Sequence, residues 1–81
     1  MSPTILECGP YRLFFYSADR EEPPHVHVER EANRAKFWLT PVRPARNAGF
    51  GAAELLRIER MVRQQQQTLL RVWHEYFAPP E

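Results

Sequence analysis

Apolar and polar residues alternate with a period of two along the first half of the chain, and recur every three or four residues along the second half. Tyr11-Arg12-Leu13-Phe14-Phe15-Tyr16 is rich in aromatic and bulky side chains and predicts a strand over 11–16. The polar stretch from Ser17 to Pro24 ends in two prolines, which have no N–H to give a ladder, so pairing resumes at about His25. His25 to Arg30 alternates and predicts a second strand. Glu31-Ala32-Asn33-Arg34 has the length of a hairpin connection, with Asn33 the residue best suited to a positive φ. Ala35 to Leu39 predicts a third strand, stopped by Thr40-Pro41. Val42 to Phe50, with Pro44, Asn47 and Gly49, reads as irregular, with room for at most a short fourth strand.

From Ala52 the period changes. Leu55, Ile58, Val62, Gln65, Leu69, Val72 and Tyr76 are spaced by threes and fours, and Leu56, Met61, Leu70, Trp73 and Phe77 widen that stripe. This is the pattern of an amphipathic helix over about 52–77. Gln65 is the one polar residue on the seam, so the helix either runs through Gln64-Gln65-Gln66-Gln67 unbroken or bends there, and Pro79-Pro80 ends it. Arg57, Arg60, Gln64, Gln67 and Arg71 form the opposite, wet stripe. The expectation is a single α+β domain over 1–81: a small antiparallel sheet of three to four strands, followed by one long or bent C-terminal helix packed on one face.

Splitting each strand by the period of two separates two faces. Leu13, Phe15, Val26, Val28, Ala35, Phe37 and Leu39 form a uniformly apolar set, which belongs under the helix. Arg12, Phe14, Tyr16, His25, His27, Glu29, Lys36 and Trp38 form the other, mixing aromatic and titratable groups as a binding surface does. On this reading both histidines stay outside the main core.

An 81-residue chain buries only about 60% of its unfolded surface, so its core is near the lower practical limit. Ten aromatic residues help to fill it. The lone cysteine, Cys8, has no partner for an internal disulfide and reads as a small half-buried apolar residue. No stretch is apolar enough to span a membrane, and Met1-Ser2-Pro3-Thr4 lacks a basic n-region, so a reducing cytoplasm is the expected compartment. The net charge of +1 hides an uneven distribution: residues 1–31 carry −3, and residues 32–53 carry +4 from Arg34, Lys36, Arg43 and Arg46. Such a basic segment suits a phosphate or an acidic partner, although a solvated surface explains it more simply.

Three chemistries fit the polar face. His25 and His27 at i and i+2 could ligate one divalent metal ion, with a third ligand from Glu29, Asp19 or His74; no cofactor is required by anything else in the chain. The same pair could act as general acid and base, with Lys36 stabilising an oxyanion, in the manner of a ribonuclease. Phe14, Tyr16 and Trp38 could stack bases of RNA or DNA while Arg43 and Arg46 hold phosphates. Without chemistry, the same surface is a docking face for a protein or nucleic acid.

Five stretches occur in order: Pro23-Pro24-His25-Val26-His27-Val28, Ala35-Lys36-Phe37-Trp38-Leu39, Asn47-Ala48-Gly49-Phe50, Glu54-Leu55-Leu56-Arg57-Ile58 and Trp73-His74-Glu75-Tyr76-Phe77. Together, from about Tyr11 to Phe77, they resemble the bacterial domain of unknown function 4160 (DUF4160) family. The resemblance implies a stand-alone bacterial protein, often encoded beside a small protein of the DUF2442 family, in pairs commonly predicted to be toxin–antitoxin modules. It therefore implies a cognate DUF2442-like partner. His25, His27, Lys36, Trp38 and Asn47 match the family pattern and carry over as site candidates. Relatives usually have Asp where this chain has Thr40, aromatic residues where it has Arg46 and Ala48, and Asn within the segment of glutamines.

Overall fold

The computed structural model describes residues 4–78; Pro79-Pro80, expected to end the helix, lies outside the described residues. Five strands form one antiparallel meander in sequence order: β1 (Thr4–Cys8), β2 (Tyr11–Phe14), β3 (His25–Arg30), β4 (Asn33–Leu39) and β5 (Val42–Ala48). A 3₁₀ turn (Ser17–Glu21) lies between β2 and β3, and two helices, α1 (Ala52–Gln64) and α2 (Gln66–Tyr76), complete the α+β fold. None of the helices described is long and apolar enough to cross a membrane.

The sheet is therefore larger than the expected three to four strands. β1 escapes the period-two pattern because Ile5 and Leu6 are adjacent and both half-buried, and its pairing with β2 slips between Thr4 and Leu6. Across the sheet, β5 is a full seven-residue strand despite Pro44. It lies at the sheet edge, and its register with β4 shifts where Phe37 faces Pro44 and Lys36 faces Arg46, leaving Ala45 as the extra residue. Proline is tolerated at both an edge and a bulge. The β3–β4 turn also differs from expectation. Glu31 and Ala32 form it, Glu31 takes the positive φ of 55°, and Asn33 is already in β4 opposite Arg30. At the end of β5, Gly49 has a φ of 106°, and a Cβ there would run into the Asn33 side chain.

The apolar face is as the alternation predicts. Leu13, Phe15, Val26, Val28, Ala35, Phe37 and Leu39 are buried with Val42 and Phe50 against Ile58, Val62, Leu69 and Trp73 of the helices. Cys8 lies half-buried beside this core, and burial pushes its thiol pKa up, away from that of a nucleophile.

The helix is not continuous. At Gln65 the backbone leaves helical geometry (φ −98°, ψ 6°), and the Gln65 N–H is shared between the carbonyls of Met61 and Val62. Beyond the bend Leu69 stays buried as the seam predicts, while the other inward positions of α2 shift by one residue. Gln66 rather than Gln65 then points at the sheet, Trp73 rather than Val72 is buried, and Tyr76 is 41% exposed. At the other end of the core face, Glu54 in the first turn of α1 accepts hydrogen bonds from Arg30 of β3 and from the Tyr11 hydroxyl of β2, tying helix to sheet.

Candidate functional site

Strand register assembles the polar face in rows. Phe14, His27, Lys36 and Arg46 lie side by side across β2, β3, β4 and β5; His25, Trp38 and Arg43 form the next row, and Arg12, Glu29 and Arg34 the row on the other side. The 3₁₀ turn folds back over part of this face. Its Asp19 carboxylate caps the turn through Oδ2, which accepts the Tyr16 N–H at 2.7 Å, while the Asp19 N–H returns to the Tyr16 carbonyl. That local reciprocity fixes Asp19 over both histidines.

His27 Nε2 lies 3.0 Å from Asp19 Oδ2, and His25 Nε2 lies 3.1 Å from Asp19 Oδ1. His25 is wholly buried, contrary to the expectation that both histidines stay outside the core; Trp38 and Trp73 pack against its ring, with centroids 5.6 and 5.2 Å away. The cause is the turn above it, together with Trp73 reaching past the end of the apolar face. The His25 Nδ1–H donates to the Pro23 carbonyl at 2.9 Å, whereas its Nε2 has no aligned hydrogen-bond partner. His27 keeps 13% of its side chain exposed. Its pKa is held below the ordinary histidine value by burial, against the opposing pull of Asp19.

Of the predicted aromatic platform, Phe14 is also wholly buried. His27 stacks on it at 5.3 Å, and the Arg12 guanidinium stands 4.0 Å from its ring centre. Tyr16 and Trp38 remain half-exposed. The Tyr16 hydroxyl accepts a hydrogen bond from Arg34, and Lys36 Nζ lies 4.7 Å from the Trp38 ring centre. Lys36 also pairs with Glu22 at 2.6 Å, and this contact holds the Glu22 carboxyl below its usual range. Glu29 is lowered in the same way by hydrogen bonds from Arg34 and Arg12.

Two openings flank this arrangement. A cleft of about 480 Å³ is lined by Tyr16, Glu22, His27, Arg34, Lys36 and Arg46, among others. A smaller one of about 270 Å³ brings Trp38 and Arg43 together with Pro23, Pro24 and the Thr40-Pro41 turn. The structure thus gathers His27, Lys36, Tyr16 and Arg46 around one cleft and Trp38 with Arg43 around its neighbour. Asn47 is not brought to either. Its side chain brackets Phe50, donating to the Phe50 carbonyl and accepting the Phe50 N–H, and so shapes the approach to α1.

A comparison with known protein families matches residues 11–74 to "Domain of unknown function (DUF4160)". The chain belongs to the DUF4160 family. A search of curated proteins and a search of solved structures each found no match. The stretch matched in this DUF4160 domain begins at β2, so it takes in the 3₁₀ turn, both histidines and the cations of β4 and β5. Among the three third-ligand candidates, the domain places Asp19 beside the histidines; Glu29 is engaged by Arg12 and Arg34, and His74 is exposed on α2. Sequence reasoning missed Glu22 and Arg34 as parts of the cleft. Arg34 escaped because the sequence reading places it in the connection, whereas the two-residue turn at Glu31-Ala32 puts it in β4 opposite Glu29.

Proposed function

We propose that this DUF4160 protein binds single-stranded RNA across its half-polar sheet face, as one member of a bacterial toxin–antitoxin-type pair with a DUF2442-like partner. The observation that carries the RNA reading is the cleft in which Arg34, Lys36 and Arg46 surround Tyr16 and His27. Phosphodiester binding needs cations, and unstacked bases need aromatic surfaces beside them; single strands supply such bases and duplexes do not. Arg46 has no ion-pair partner among the described residues, and its charge is free for a phosphate. Lys36 would exchange Glu22 for a phosphate oxygen. His27 is the histidine that such a ligand reaches, and His25 holds the floor beneath it. The partner rests on the family's gene arrangement, and the cytoplasmic location is the natural one for such a pair.

Fluorescence anisotropy with a labelled single-stranded RNA oligomer tests the binding. Lys36→Ala combined with Arg46→Ala should weaken it at least about tenfold, the loss of two charge-assisted contacts. Equal affinity in the double variant removes the cleft from consideration. Inducing the protein alone should arrest growth, with relief on co-expression of the neighbouring gene; harmless induction together with absence of RNA binding overturns the whole reading.

A further inference from the structure

The Asp19–His25–His27 cluster contains a contact that its protein atoms leave unexplained. Pro23 offers only a carbonyl, so the His25 Nδ1 bonded to it must carry the proton, and in the neutral ring Nε2 is then a bare lone pair. That lone pair is fully buried, has no hydrogen-bond partner, and lies 3.1 Å from a carboxylate oxygen. Two acceptors brought together away from water repel each other and forfeit their solvation. A cation shared between them removes both penalties.

We propose that Asp19, His25 and His27 together hold one divalent transition-metal ion. One ligand atom from each of the three side chains lies within 4.8 Å of the other two. His25 Nε2 lies 3.1 Å from Asp19 Oδ1 and His27 Nε2 3.0 Å from Asp19 Oδ2. Each is close to about 3.3 Å, the separation of neighbouring ligands about 2.0–2.1 Å from a tetrahedral ion, so the carboxylate straddles the pair with one oxygen toward each ring. The missing alignment at His25 also fits. Two ligands of one ion aim at the ion between them and not at each other. Each ligand is anchored from behind or beside: His25 by the Pro23 carbonyl, Asp19 by the Tyr16 N–H, and His27 by stacking on Phe14. A backbone carbonyl on the far nitrogen is the usual device that fixes a metal-binding imidazole. The alternation of β3 supplies the pair, since residues two apart share a face.

The donor set selects the ion. Two imidazoles and one carboxylate suit Zn²⁺ or Fe²⁺ and are wrong for Ca²⁺ or Mg²⁺, which take oxygen ligands. Three protein ligands leave a further position open. His27 and Asp19 keep 13% and 12% of their side chains exposed, His27 lines the cleft, and Glu22 Oε1 lies 3.7 Å from His25 Nε2, so the cluster is reached from the polar face.

The test uses tag-free protein, stripped with chelator and titrated separately with Zn²⁺, Co²⁺ and, without oxygen, Fe²⁺. Calorimetry should give one ion per chain, and Co²⁺ should develop visible d–d absorption with imidazole ligation. Asp19→Asn, which preserves size, and His27→Ala should each weaken binding at least about tenfold with circular dichroism unchanged, whereas His74→Ala should bind normally. If none of the three ions binds the wild-type protein, or if both cluster variants bind as it does, the inference is wrong. RNA plays no part in the titration, so failure here leaves the RNA reading standing, and the reverse holds as well.

Discussion

Gln66 donates a 2.7 Å hydrogen bond from Nε2 to the carbonyl of Leu39, so the break between the helices and the end of β4 are joined by one contact. Leu39 is the last residue of its strand, and the bond is part-buried. Removing the donor by Gln66→Ala should cost about 0.5–1.5 kcal/mol, the usual net worth of one intramolecular hydrogen bond. Its exposed neighbour Gln67→Ala should stay within about 0.5 kcal/mol of wild type. Urea denaturation of the two variants checks this. Equal midpoints for both would mean that the glutamine segment bends for reasons other than this latch.

The same contact shows where sequence reasoning stops. Gln65 stands out on the helical seam, but the residue that reaches the sheet is Gln66, because the backbone leaves helical geometry at Gln65. Periodicity reads faces only along an unbroken axis. The sheet was more legible. The apolar row from Leu13 to Leu39 and the polar rows through His27 and His25 both follow from alternation, because one side of β2, β3 and β4 is uniformly apolar. The turn over the polar face was not legible. Ser17 to Glu21 has no hydrophobic period, and its shape depends on the Asp19 carboxylate reaching one backbone N–H. Without that turn His25 reads as a surface residue; with it the ring is sealed. β5 was hidden by Pro44, whose place at an edge and a bulge is a property of the assembled sheet.

The core should respond to burial rather than to hydrophobicity as such. Phe37, at the middle of β4, is fully buried, whereas Leu56 on α1 is 58% exposed although it also belongs to the apolar stripe of the sequence. Phe37→Ala should cost about 3–5 kcal/mol, a large part of what a domain of this size has. Leu56→Ala should change stability by no more than about 0.5 kcal/mol. Thermal melts of both variants decide. A clear loss from Leu56→Ala would show that its side chain is covered in solution.

Glu54 should mark the acid limit of the fold. Hydrogen bonds from Arg30 and the Tyr11 hydroxyl hold its carboxyl down to about 2, from an ordinary value of 4.5. A carboxyl depressed in the folded state favours folding fully above its unfolded value and ceases to do so as pH falls through its folded value. This contribution is therefore present above about pH 4.5 and is lost between there and about pH 2. Glu54→Gln should lower stability near neutrality and flatten its pH dependence within that window. Urea midpoints measured from pH 2 to pH 6 test both effects. A variant with the wild-type slope would place the acid sensitivity elsewhere, with Glu29 and Glu22 as the other carboxyls lowered by ion pairs.

Arg46 offers the cleanest separation of binding from stability on the polar face. It is exposed on the edge strand, lies opposite Lys36, and has no ion-pair partner among the described residues. Lys36→Ala also breaks the pair with Glu22, so its effects on folding and on ligand mix; Arg46→Ala avoids that. The variant should unfold within about 0.5 kcal/mol of wild type. Each cation that neutralises a phosphate releases counterions, adding about 0.7 to the slope of log affinity against log salt for a single strand. Arg46→Ala should therefore weaken RNA binding at low salt and flatten that slope by about 0.7, so that the two proteins converge as salt rises. Anisotropy titrations across a salt series measure both quantities. If affinity falls but the slope does not, Arg46 shapes the cleft without touching phosphate, and the charge on β5 is not what attracts the strand.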